Sequence, residues 1–345
     1  MSDIDWVNLS QYPFFDKRKH PSAAQCDDIA RSITGAMQAS PVDTLSTLTY
    51  CVICNQCPSE ETWIVVFREK NLKAKPLDQI VRLANDAFGP LALQPIYHGD
   101  VENANPPLSI YTTPCRPGIS LLSTLRCQVY LRREQKEEHI YFIQDLARYF
   151  ALSWENPQPM NPKELLYLRQ AGIRYQLRQF KEVTPSILPS EMIDELIELL
   201  PQLFSTEYPS VLTNGNLSLT NIRIDEETRQ ITSIVDWSLA KILPFGMDLD
   251  VLFLVTGYMG LTEWKDYNCK TALVDCFWDE FFACLPRTVL ARDVSLEDIR
   301  FLAEQAAKLG AILRYGFNRR ADGSSDGEVS ISEREIVQLR AWFGV

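Results

Sequence analysis

Leu212-Thr213-Asn214-Gly215-Asn216-Leu217-Ser218-Leu219-Thr220-Asn221-Ile222-Arg223-Ile224-Asp225 is followed by a polar stretch, Glu226 to Gln230, and then by Ile231-Thr232-Ser233-Ile234-Val235-Asp236-Trp237. Two short β-branched runs flank a polar turn, which predicts a β-hairpin. A strand ending near Leu212 would lead into the polar loop before it. The hairpin predicts strands at Ile222–Asp225 and Ile231–Val235. It therefore places Asn221, before the first strand, and Asp236, after the second, at the same end.

These residues resemble the core of the aminoglycoside phosphotransferase and choline kinase-like family. In that family the loop reads His-Gly-Asp-Leu-x-x-x-x-Asn, and the Asp is the base that orients the acceptor hydroxyl. Here the His position is Asn214 and the Asp position is Asn216. The spacing to Asn221, fifteen further residues to Asp236-Trp237, and the later Ala240 and Pro244 match the family pattern. The resemblance is strong over 203–250 and loose over most of the remaining chain. It implies an α+β, two-lobed protein-kinase-like fold with a small antiparallel-sheet N-lobe and a mostly helical C-lobe. It also implies catalytic positions at Asn216 and Asp236, magnesium ligands at Asn221 and Asp236, and substrate-binding positions at Asn214 and Trp237. The departure lies in the chemistry. A carboxylate accepts the proton of the attacking hydroxyl, whereas an amide does not at neutral pH. Phosphoryl transfer depends mainly on positioning and metal electrostatics, so loss of the base need not by itself abolish the reaction.

The nucleotide side departs as well. Kinase-like folds lay a tight, usually glycine-containing turn over the phosphates. No glycine occurs between Gly35 and Gly89, and the corresponding turn would be Asp43-Thr-Leu-Ser-Thr-Leu. Matching Phe67 to the family's Val-Val-Arg-Phe puts Val66 where a phosphate-binding cation belongs. Arg68, two residues on and on the same strand face, is the candidate cofactor-binding substitute. The helix over 77–88 has no Glu to pair with it. Together these features point to a degraded ATP site.

The bulk properties agree with a soluble globular chain. It has 345 residues, 46% hydrophobic and 10% aromatic, enough for one large domain or two lobes. A net charge of -11 argues against nucleic acid and anionic membranes as partners, and permits a small cationic molecule. No apolar run reaches membrane-span length, and the acidic Met-Ser-Asp-Ile-Asp-Trp start lacks a basic leader, so the chain reads as cytoplasmic. Nine cysteines without an export signal are expected as reduced thiols. Cys51, Cys54 and Cys57 have iron–sulfur-like spacing, but the fourth ligand position is Glu61, and the same stretch reads as a strand.

The expected organisation is an N-lobe over 1–113, a Pro/Gly-rich hinge over 114–120 and a helical C-lobe over 121–345. Residues 1–45 read as short helical or irregular pieces. Leu45–Gln56 and Thr62–Lys70 read as a strand pair, then a helix over 77–88, then strands at 95–98 and 108–113. Helices are expected over 140–154, 164–180, 189–204, 249–261, 270–284, 296–316 and 330–343, the last with a Ser332/Glu335 capping box. His98-Gly99-Asp100, with Asn105 at the right offset, repeats the family motif literally. It lies between N-lobe strands, ahead of Pro106-Pro107, and reads as a surface turn. Asp248 and Asp250, in Gly-Met-Asp-Leu-Asp, are candidates to reach the cleft, with a helix N-terminal cap as the preferred reading. Arg287, Arg292, Arg319 and Arg320 are candidates for an anion site or plain solvated surface. Trp237, Phe245 and Trp264 are core aromatics or the lining of an apolar acceptor pocket.

The expected function is a small-metabolite-binding protein with phosphotransfer lost and no cofactor. It acts as a pseudokinase or is repurposed for cyclisation or isomerisation, since the sequence also resembles the family's fungal, secondary-metabolism branch. The rival expectation is a slow, Mg-ATP-dependent small-molecule O-phosphotransferase.

Overall fold

A computed structural model describes residues 21–42, 49–59, 61–70, 77–101, 104–105, 107–116, 118–159, 163–286, 295–319 and 325–345. The chain forms two compact units. One comprises Met1–Arg82 and Leu93–Pro117; the other comprises Leu83–Ala92 and Gly118–Val345. Among the described residues no helix is long and apolar enough to cross a membrane.

In the first unit, α1 (Ala23–Thr34) starts at Ser22, whose hydroxyl accepts from Gln25 N while the Gln25 side chain accepts from Ser22 N. Gly35, at φ +68°, ends the helix. Then come β1 (Gln38–Pro41), β2 (Thr49–Asn55), β3 (Trp63–Glu69), α2 (Leu77–Phe88, which from Leu83 on belongs to the second unit), β4 (Ile96–Val101) and β5 (Leu108–Pro114). Among the described residues the strands form one antiparallel sheet in the order β1-β2-β3-β5-β4. The expected strand pair and the strand–strand–helix–strand–strand order are present. β1 adds an edge strand within 1–45, where short helical or irregular pieces are expected. Pro41 fits there because a proline without an N–H is tolerated at the end of an edge strand. β2 and β3 alternate in burial, so Tyr50, Val52, Cys54, Val65 and Phe67 pack with Cys26, Ala30 and Leu108. Each large side chain buried there contributes roughly 1.5–3 kcal/mol. The same alternation turns Cys51 away from Cys54, onto the opposite face of β2.

His98-Gly99-Asp100 is not a surface turn. It lies inside β4, an edge strand whose register slips between Tyr97 and Gly99. A β-bulge with glycine at φ +105° accounts for the turn-like composition.

The second unit contains β6 (Ile119–Ser120), α3 (Arg133–Glu155), α4 (Lys163–Val183), α5 (Ser190–Leu203), β7 (Ser210–Thr213), β8 (Ile222–Ile224), β9 (Ile231–Ile234) and β10 (Lys241–Pro244). After these come α6 (Val251–Val255), β11 (Gly257–Met259), β12 (Trp264–Asp266), α7 (Lys270–Cys284), α8 (Leu296–Tyr315), β13 (Phe317–Arg319), β14 (Ser325–Val329) and α9 (Glu333–Phe343). The predicted hairpin is β8–β9, joined by β6 in an antiparallel sheet, while β7 pairs with β10. The capping box of α9 forms as expected. The helix expected over 249–261 does not: α6 lasts five residues and gives way to the β11–β12 hairpin. Gly257 sets the change, since a Cβ there would lie 2.6 Å from Lys265 O and 2.8 Å from the Trp264 ring. The unit's aromatic core centres on Phe245, whose ring lies 4.8 Å from Trp154 and 5.4 Å from Phe281.

Candidate functional site

The loop between β7 and β8 turns at Gly215, with φ +75°. A Cβ at this position would come within 2.2 Å of the Leu239 carbonyl, so both conformation and space demand glycine. Asn214 is fully buried. Its Oδ1 accepts from Asn216 N (3.2 Å), and its Nδ2 donates to the carbonyls of Val235 (3.3 Å) and Asp236 (3.2 Å). One side chain thus ties the loop to the far end of the hairpin. Asn221 closes the loop from the other side. Its N–H donates to Ser218 O, its carbonyl accepts from Val235 N (2.9 Å), and its Nδ2 donates to Asn216 O (2.9 Å).

The backbone of Asn216 is therefore held at both N–H and C=O by two asparagine side chains. Its own side chain is half-buried and takes no hydrogen bond from the described residues. Asn221, by donating through Nδ2, leaves Oδ1 as an acceptor. Asp236 is exposed and sits in the left-handed region (φ 54°, ψ 69°), its Oδ1 accepting from Ser238 N (3.3 Å). A non-glycine residue there costs about 1–3 kcal/mol and persists where its surroundings enforce it; the bonds from Asn214 Nδ2 do so. An amide oxygen and a carboxylate are hard donors, which fits a divalent cation such as magnesium.

Beneath the loop lies a buried cluster of charges. Asp248 Oδ2 accepts from Asn214 N (2.6 Å) and Gly215 N (3.2 Å), and its Oδ1 accepts from Arg314 Nη2 (3.0 Å). Arg314 Nη1 lies 3.0 Å from Asp250 Oδ2 and donates to Leu217 O at 3.3 Å. All three side chains are at most 7% exposed. Burial works against the Arg314 charge, but the carboxylates of Asp250 and Asp248 outweigh it and hold its pKa above the ordinary value. The reading of Asp248 and Asp250 as helix caps is corrected. Asp250 precedes α6 without a side-chain cap bond, and both carboxylates turn to Arg314. Sequence reasoning missed Arg314. The signal was present: Ala303, Ala307, Gly310 and Arg314 recur at helical spacing, placing a cation in a small-residue core stripe. Gly310 explains the close approach of α8, because a Cβ there would meet Met247 O at 2.0 Å.

Trp237 is buried, with its Nε1 donating to Ile234 O (2.9 Å) and its ring stacked on Phe88 at 5.4 Å. Phe245 lies in the core, and Trp264 packs edge-on against Trp342. Arg68 stands in the first unit on β3, opposite Thr49 and Ser109 and on the face of Val66. The Asp43–Leu48 turn, Arg287, Arg292 and Arg320 lie outside the described residues, as does the side chain of Arg319.

The chain is similar to several solved structures. With the microcompartment-associated aminopropanol kinase it shares 14% identity at TM-score 0.51, over 92% of this chain and 94% of that one. With a Plasmodium vivax ethanolamine kinase the values are 12% and 0.47, over 88% and 81%. With an aminoglycoside-3'-phosphotransferase of type VIII they are 17% and 0.45, over 82% and 98%. No protein-family model matches the sequence, and no curated protein matches it. The first likeness shows the fold: protein-kinase-like, with an antiparallel N-terminal sheet and a helical C-terminal region.

Proposed function

We propose that this kinase-fold protein binds a small metabolite on the loop face formed by Asn216, Asn221 and Asp236, and has lost efficient phosphoryl transfer. The observation that carries this reading is Asn216. Its backbone is pinned at both polar groups, while an amide with no side-chain hydrogen bond among the described residues occupies the position where the resembling kinases hold a carboxylate. Such an amide can donate to and accept from a ligand but cannot take up its proton. With Asp236 as a second polar anchor, the loop can orient a reactive small molecule. Orientation alone accelerates cyclisation or isomerisation substantially. The fungal, secondary-metabolism resemblance motivates that class of chemistry.

A second reading is a slow O-phosphotransferase. It is favoured by the orientation of Asn221, whose Oδ1 remains an acceptor beside the exposed carboxylate of Asp236. In that reading Asn221 and Asp236 would hold magnesium, and Asn216 would position the acceptor hydroxyl without taking its proton. Bound magnesium would neutralise charge on the phosphates.

Thermal unfolding with and without Mg-ATP separates the two. The first reading expects no shift. A rise of several degrees that disappears in Asp236→Ala would establish the second. Asn216→Asp supplies the missing base. If the frame is that of a phosphotransferase, ATP turnover should rise by roughly 10²–10⁴-fold over the unaltered protein.

A further inference from the structure

The loop that presents Asn216 is braced by one side chain that no sequence signal for catalysis singled out. Arg314 reaches it on both sides. Through Asp248 it fixes the acceptor of the Asn214 and Gly215 N–H groups, and directly it donates to the carbonyl of Leu217. Asn216 is the residue between these fixed points. We infer that Arg314 is a positioning residue for Asn216, its guanidinium clamping the loop before and after that residue so that its side chain is presented in one orientation. The inference rests on the proposed role of Asn216 as the ligand-facing group.

Three features support it. The first is geometry that only a planar fork provides. Nη2 serves Asp248, while Nη1 serves Asp250 and the Leu217 carbonyl; an ammonium is a single point and cannot span both. The second is energetic. Two carboxylates and one guanidinium, all buried, form a cluster with a net negative charge. Replacing such clusters by apolar residues is often neutral or stabilising, so stability alone is a weak reason to hold one here. The third is its target. Asp248 spends one carboxylate oxygen on two consecutive loop N–H groups, at 2.6 and 3.2 Å, leaving the other to Arg314. The cluster's bonds end on the backbone that flanks Asn216.

Native-state hydrogen exchange, residue by residue, tests the proposal without any ligand. In the unaltered protein the Asn214 and Gly215 amides should exchange only with the global opening that exposes β7 and β10. Exchange by a separate local opening would overturn the clamp. In Arg314→Lys, which keeps the charge and loses the fork, exchange at Asn214 and Gly215 should quicken at least tenfold more than in β7 and β10. The Asn216 signals in an asparagine-labelled NMR spectrum should shift or broaden. Loop exchange that rises only in step with the strands would reduce Arg314 to a core ion pair and sink the proposal. Asp250→Asn is the control, because it leaves both loop-directed bonds of Arg314 in place. It should lower the unfolding temperature without loosening the loop; equal loosening in both variants would also count against the clamp. The Mg-ATP and Asn216→Asp results bear on the proposed function alone, so failure of either idea is seen separately.

Discussion

His98-Gly99-Asp100 and Asn214-Gly215-Asn216 make an instructive pair. The first has the residues of a kinase loop and none of its surroundings. It lies in an edge strand, and Asp100 is occupied by Lys70 Nζ (2.9 Å), Ser109 Oγ (2.7 Å) and Tyr97 Oη (2.8 Å). The second carries an amide at its third position and sits in a different frame: a left-handed glycine, two bracing asparagines, a hairpin return and a buried Asp–Arg cluster below. A site is made by the elements that converge on a loop more than by the three letters within it. The Asp100 carboxylate accepts from three neighbours, whereas the half-buried Asn216 amide takes no hydrogen bond among the described residues.

The difference can be broken most forcefully at the two central glycines. Gly215→Ala combines a positive φ with a Cβ 2.2 Å from Leu239 O. It should cost about 3–5 kcal/mol, the sum of backbone strain and overpacking, read from urea unfolding. Gly99→Ala meets no atom within 4 Å and bears only its φ of +105°, so it should cost clearly less. Equal costs would mean that the loop frame is no tighter than the edge strand.

A smaller effect should appear in pH dependence. His139 of α3 donates from Nε2 to the carbonyl of Val255, the last residue of α6, which begins just after Asp250. Burial pushes its pKa below the ordinary value; the Val255 carbonyl opposes this, and the Arg229 charge adds to it. The folded state therefore binds fewer protons than the unfolded one. Its stability contribution is full above about pH 6.5 and is lost as pH falls below that value. Urea midpoints should drop between pH 7.5 and 5.5, and His139→Gln should flatten that segment of the profile. An unchanged slope in the variant would remove His139 from the account.

The smallest effect belongs to Asp100. The hydrogen bond from Lys70, then those from Ser109 and Tyr97, hold its pKa at about 2. Its contribution is present above about pH 3.8 and is lost as pH falls towards 2. Because the network is exposed, Asp100→Asn should cost about 1 kcal/mol or less at neutral pH. A larger loss would show that the edge-strand motif is more than a surface network.

Much of the fold was legible in the chain. Runs rich in β-branched and aromatic residues announced β2, β3, β8 and β9, and a helical stripe announced α3, because strand preference and helix period are local properties of the chain. The α6–β11 region misled, since Val251 to Met259 is apolar enough for a helix, and the break at Gly257 depends on the Trp264 ring packing against it. That Asn221 and Asp236 lie at one end of the hairpin was readable from the two β-branched runs, and Val235 N donating to Asn221 O bears this out. The partners of Asp248 were not, because a carboxylate before a helix looks like a cap until the residue facing it is known.

The sequence by itself determined which groups the loop and hairpin contain: the amides of Asn214, Asn216 and Asn221, the carboxylate of Asp236, and a glycine at the turn. Only the tertiary structure decided how those groups are held. Arg314 lies ninety-seven residues beyond Leu217 and meets it through the packing of α8 under the loop. A buried charge cluster of that kind has no local period or spacing. Its partners are chosen by the folded chain's need to pair every charge taken out of water.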